Sequence, residues 1–311
     1  MKKFYLASLC LLIIGVVAMF VGAISGGVRP ITGGTGDWHV VDTRAKTTTL
    51  NPKKIDNIYL DIDNANVKIQ KGDNYSVKAT SAESGHIDTK VANGKLTVTE
   101  KRNQSGIIFD DHSDGKRTVV ITVPNKDSLK SVESHVSDGK VNISGLDLNY
   151  LKSGSSNTNV TLDNVHTSSS TSIADSNGSV TANQVDLAKL SLEADDDKLT
   201  FNDSTLNNIH TKGSDSNITF ENSHLKDFSF TSSSSKYMIS GGNVQGSNFA
   251  NLDDGSINFN QINPDINYNI NGDDMKVNVA GQSQKVPYVK NDNNAKNSMQ
   301  VQGSSAKVSL D

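Results

Sequence analysis

The chain has 311 residues, a formal net charge of −4 and 21% charged residues. That balance excludes a broad electrostatic claim on nucleic acid. The only arginines are Arg29, Arg44, Arg102 and Arg117, all outside the repeated part of the chain, which weakens any case for phosphate gripping there. The single cysteine, Cys10, leaves the rest of the chain without a disulfide, a usage that fits surface proteins of Gram-positive bacteria.

Lys2 and Lys3 precede an uncharged stretch from Phe4 to Ile24. As helix it would span roughly 32 Å, enough for a bilayer core. Positive charge on the short side predicts a cytoplasmic N-terminus and an extracellular C-terminal domain, single-pass in the cell membrane. A cleaved signal peptide is the competing reading, although its apolar region would normally be shorter. Residues 1–25 are thus expected as an anchor with membrane contact through 4–24. Residues 26–50, rich in glycine around Pro30 and the single tryptophan Trp38, read as a flexible linker.

From Ile55 the pattern alternates: Ile58, Leu60 and Ile62, then Ala65, Val67 and Ile69, with Val77 and Ala79 after a Gly72-Asp73 turn. Asn93-Gly94 is a hairpin signal leading to Leu96 and Val98. Val119, Ile121 and Val123 run into Pro124, which should end a strand. This lead-in segment, 51–127, reads as β throughout.

From about Leu129 the chain repeats itself. Val141/Ile143 returns as Val160/Leu162, Val180/Ala182, Leu199/Phe201, Ile218/Phe220, Tyr237/Ile239, Ile257/Phe259 and Val277/Val279, 19 or 20 residues apart. A second step precedes each by nine residues, clearest at Leu190/Leu192, Ile209/Thr211 and Phe228/Phe230. Apolar-polar alternation is the period of a strand with one buried face. A fixed period near 20 marks a solenoid whose coils bury their faces only by stacking. Asp138, Asn157, Asn177, Asp196, Asp215, Ser234, Asp254 and Asp274 stand three residues before each step, where they close turns and tolerate left-handed backbone. A third apolar point follows at Leu146, Val165, Val185, Leu206, Leu225, Val244 and Ile262, with a longer offset from Leu206 to Val244 that predicts a looser corner. The fold class expected is all-β: a single-chain, parallel β-helix-like solenoid with coils of 19–20 residues and three sides, preceded by the transmembrane helix. Eight coils would stack to roughly 40 Å. A β-sandwich with strands of this spacing competes. The regular repeats occupy 128–285, and 286–311 supplies C-terminal strands that add a coil or cap the open end.

The run IDNIYLDIDNANVKIQKGDNYSVKAT, then NGKLTVTEKR, VVITVPNK and the DGKVNI repeats, resembles the putative-adhesin β-strand-repeat domain family, over about residues 51–311. These are bacterial envelope proteins, many of unknown function, some beside genes of the Lia-type envelope-stress response. The resemblance implies a β-solenoid outside a membrane anchor and carries over no catalytic residue.

Candidate chemistry is sparse. Asp195, Asp196 and Asp197 stand together, and Asp253/Asp254 and Asp273/Asp274 occupy matching slots. Stacked carboxylates could hold calcium, which takes six to eight oxygens; the competing reading is solvated turns. The histidines show no HExxH or paired spacing. The polar cluster from Phe109 to Gly115 reads as a loop, and no GxSxG elbow exists. No cofactor and no catalytic residue is expected. The function expected is a non-catalytic, adhesin-like surface module for an unknown envelope or cell-surface ligand, with no nucleic acid partner. An envelope-stress accessory or sensor is the alternative, and a carbohydrate-active β-helix enzyme stands third.

Overall fold

Alternating apolar residues become strands almost wherever they occur. The structure, a computed structural model, describes residues 2–24, 31–32, 39–40, 45–81, 86–101, 117–124 and 128–311. The chain divides into two units. One comprises Met1–Lys46, Ser81–His86 and Lys101–Lys116, and the other Thr47–Thr80, Ile87–Glu100 and Arg117–Asp311.

The first unit carries the helix Lys2–Ile24 and a two-residue antiparallel pair in which Ile31 faces Val40. Here one expectation is corrected. Among the described residues no helix is long and apolar enough to cross a membrane. The single-pass anchor over 4–24, with its cytoplasmic N-terminus and extracellular domain, therefore loses its basis. Cys10's side chain, Trp38 with most of the expected linker, and the polar cluster 109–115 lie outside the described residues.

The second unit is a parallel β-solenoid. Val141 lies on Val160, Val180, Leu199, Ile218, Tyr237 and Ile257 in unbroken register. None of these is more than 2% exposed. The second step stacks likewise, Val132 on Leu151, Thr171 and Leu190. Like side chains thus form two inward ladders, because an in-register parallel sheet repeats every position about 4.8 Å away. At mid-stack the inner ladders turn aromatic. Phe230 stacks on Phe220, Phe228 and Tyr237 at 5.7, 4.3 and 4.6 Å between ring centroids.

All eight predicted turn residues at the first corner adopt left-handed backbone, with φ between 47° and 59°. In all but the last layer their N–H groups donate to the carbonyls of the following layer, as Asp196 does to Ser214 and Asp215 to Ser233. A corner that reverses the chain thus keeps its backbone paired. A second corner uses Asn164, Gln184, Asp203 and Asn222 in the same conformation. A third, at Lys189, Asn208, Asp227 and Gly246, appears only in the middle of the stack. Before it, one strand runs unbroken over His166–Ser176; after it, the same side splits into Asp186–Ala188 and Leu190–Asp195. The coil is therefore three-sided only over the middle layers, from Lys189 to Gly246; the last layers return to single strands, Asn297–Ser304 and Ile266–Asp273.

The looser corner expected after Leu206 is not there. Leu206 lies on Leu187, not on Val185. The slot of Val185 passes instead to Ser204 and then Ser223, both 1% exposed. Ser204 Oγ accepts the N–H of Val185 at 3.3 Å, and Ser223 Oγ that of Ser204 at 3.1 Å. An apolar ladder has become a hydroxyl ladder without any change of coil length.

Both ends of the stack depart from chain order. Strands Asn57–Asp63 and Ala65–Gly72 form the second layer, not the first. They pair on one side with Lys95–Lys101 and Arg117–Pro124, and on the other with Leu129–Ser137 and Lys140–Ser144. At the far end, Asn297–Ser304 and Lys307–Leu310 slot between the layer of 247–260 and that of 266–279. The C-terminal strands are thus an inserted layer rather than a cap. Among the described residues the repeats give the eight layers expected of them, and two lead-in layers with the inserted C-terminal one bring the stack to eleven. The outermost edges are closed by antiparallel strands, Ser76–Ser81 against Arg117–Pro124 at one end, Gln282–Gln284 and Tyr288–Lys290 at the other. Arg117, expected outside the solenoid, opens one of its strands: it pairs with Glu100 at 2.7 Å and donates to the Asp63 carbonyl at 3.2 Å.

Candidate functional site

Outward positions along the sheet that contains Leu129–Ser137 form three parallel ladders. One runs Ser191, His210, Ser229, Phe249, Gln300, Asn269; the next Glu193, Lys212, Thr231, Asn251, Gln302, Asn271; the third Asp195, Ser214, Ser233, Asp253, Ser304, Asp273. They lie on the solvent side because strand residues alternate faces and the intervening ones fill the core. The face changes character along the stack. Its early layers carry ion pairs, as where Glu133 contacts Lys152 at 3.5 Å. Hydroxyls and amides take over toward the C-terminal layers.

Two grooves share the strand Ser247–Asp253. One, of about 410 Å³, is bordered by Glu193, Asp195, Lys212, Asn251 and Asp253. Its floor dips at Gly213, where any Cβ would collide with the carbonyl oxygen of Ala194. The other, of about 380 Å³, holds Phe249, Asn269, Asn291 and Gln300, and no ionisable side chain but that of Tyr268 lines it.

The acidic residues singled out in the sequence are dispersed. Asp196, Asp254 and Asp274 occupy the left-handed turn positions with exposed side chains. Asp195 accepts both the N–H and the hydroxyl of Ser214 at 3.0 Å, and Asp253 accepts the hydroxyl of Ser304 at 3.0 Å. Because the layer of 297–304 intervenes, the Asp253 and Asp273 pairs are two layers apart, roughly 9.6 Å. Among the described residues no three His, Cys, Asp or Glu side chains gather closely enough to hold a metal ion.

Asp197 turns the other way and is 4% exposed. Its carboxylate accepts the N–H of Gly178 at 2.7 Å and of Asp195 at 3.0 Å. Burial pushes its pKa up to about 6, against those two hydrogen bonds, and the nearby Asp175 adds to the rise. Asp175, 5% exposed, is also raised by burial; its Oδ1 accepts the hydroxyl of Ser155 at 2.6 Å. Composition alone did not mark Asp175. Its register did: it falls in the inward slot next to Ala194.

The family described as Toastrack DUF4097 matches residues 55–311. No curated protein matches the sequence. Among solved structures, a "putative lipid binding protein" from Parabacteroides distasonis is 14% identical with a TM-score of 0.52, over 86% of this chain and 97% of that one. A "putative adhesin" from Bacteroides fragilis is 15% identical with a TM-score of 0.44, over 86% and 97%. Another, from Parabacteroides merdae, is 13% identical with a TM-score of 0.40, over 89% and 98%. At 14% identity the likeness to the Parabacteroides distasonis structure is one of fold.

Proposed function

The chain belongs to the Toastrack DUF4097 family, and from that membership we propose that it is a non-catalytic, adhesin-like binding module. The observation that carries the reading is the outer face of the sheet bearing Ser247–Asp253. There hydroxyls and amides recur in register, so a long ligand meets the same chemistry layer after layer. Two adjoining grooves give that face relief. Rigid ladders fix these groups in place, which lowers the ordering cost of binding. The adhesin and lipid-binding descriptions of the solved neighbours fit a module that binds rather than reacts. In this reading the lead-in 51–127, the repeats 128–285 and the C-terminal segment 286–311 work as one platform.

The test is binding of the full chain to purified cell envelopes, insoluble polysaccharides and lipid vesicles. Asn251→Lys places a bulky charge on the proposed face, and Thr200→Lys does the same on the opposite sheet. At least tenfold weaker binding is expected for Asn251→Lys alone. Equal loss from both variants, or from neither, would remove this face from the account.

A further inference from the structure

We propose that the groove around Phe249 binds an uncharged polysaccharide chain, a ligand class that rests on the binding-module reading above. Phe249 points outward and is partly exposed, between the buried Asn248 and Ala250. In the next two layers its ladder continues as Gln300 and Asn269, both exposed. Two positions along the strand, Asn251, Gln302 and Asn271 repeat the amide chemistry. Within the described residues no hydrogen bond engages the side chains of Gln300, Asn269, Gln302 or Asn271, so their donors and acceptors face solvent. Asn291, just beyond the antiparallel strand Tyr288–Lys290, walls the groove.

This combination matches a sugar chain in three ways. Each sugar hydroxyl is at once donor and acceptor, and a primary amide offers both in one planar group. The C–H face of a pyranose is apolar and packs on an aromatic ring, which contributes beyond area alone. Finally, the groove presents no carboxylate or ammonium of its own, so a neutral ligand enters without stripping water from a charge. Three carboxylates, Glu193, Asp195 and Asp253, border the adjoining groove against one ammonium, Lys212, and this negative balance disfavours an acidic polymer on the same face. Repetition near 4.8 Å lets successive layers hold successive parts of an extended chain.

The experiment uses the full chain in affinity electrophoresis through gels containing a neutral β-glucan, a neutral mannan or polygalacturonate. Retardation by a neutral polymer but not by polygalacturonate is expected. Phe249→Ala should weaken it at least tenfold, and Gln300→Ala severalfold, with both variants melting within a few degrees of the parent. Retardation that survives both substitutions would overturn the groove assignment and leave the binding face standing. Binding only to lipid vesicles or to envelope protein would overturn the saccharide class and keep the module. No binding to any of these partners would sink both readings together.

Discussion

Asp197 stands in a ladder whose neighbours on the following layers are Ser216 and Ser235. Each hydroxyl there accepts the N–H of the layer before, Ser216 from Asp197 at 3.1 Å and Ser235 from Ser216 at 3.2 Å. The carboxylate does the same task with an added charge. Because burial lifts its pKa to about 6, above the ordinary 3.8, the folded chain holds this proton to higher pH than the unfolded one. Its contribution to stability is therefore complete below about 3.8 and lost as pH rises through 6. A pKa moved from 3.8 to about 6 corresponds to about 3 kcal/mol, which solvent screening reduces to roughly 2 kcal/mol. Asp197→Ser keeps an acceptor for Gly178 and removes the charge. It should raise the melting temperature at pH 8 and flatten its dependence between pH 4 and 7. A pH profile identical to the parent's would show that Asp197 is not the titrating group. Gly178 is held to glycine by the same crowding, since a Cβ there would run into the Asp175 carboxylate and the Thr158 carbonyl.

Single strands contribute through their ladders, and the aromatic one is the most concentrated. Phe230 touches three other rings and is fully buried, as are Phe201 and Phe220. Phe201 and Phe220 lie 5.3 Å apart, nearly parallel. Tyr237 joins this stack and satisfies its hydroxyl with Thr211 at 2.9 Å, so a polar atom enters the core without loss. Truncating the hub leaves a cavity that neighbouring layers, locked by their own hydrogen bonds, close only partly. Phe230→Ala is expected to cost about 3–5 kcal/mol in denaturant unfolding. A cost below about 1 kcal/mol would mean that the stack is not tightly packed there.

Across the whole stack, the order of layers matters more than the order of the chain. The last strands, Asn297–Ser304 and Lys307–Leu310, have both edges paired, and so do the early ones, Asn57–Asp63 and Ala65–Gly72. Unpaired edges invite self-association; here the chain folds back to place antiparallel strands at the limits. Amide exchange should thus protect Val301 and Val308 as strongly as Leu199, with Ser283 and Val289 exchanging much faster. Fast exchange at Val301 and Val308 would contradict the inserted layer. Removing 297–311 should likewise expose four strand edges, two in each sheet, and produce aggregation rather than a shorter solenoid.

What the sequence determined by itself was the winding. Inward residues must be apolar every second position, and a turn residue must tolerate positive φ, so Val160, Leu199 and Asp215 announce their places without help from distant partners. The resemblance to an adhesin-like repeat family rested on the same pattern. The second and third corners were less legible, because Gln184 and Lys189 take left-handed backbone although neither is a turn-forming type. Neighbouring layers impose that conformation. Only the tertiary structure decided the insertion of 297–310 between two earlier layers, the burial of Asp175 and Asp197, and the grooves beside Phe249. Each depends on which strand lies next to which, and any two strands of like period are compatible until the ends of the stack force a choice.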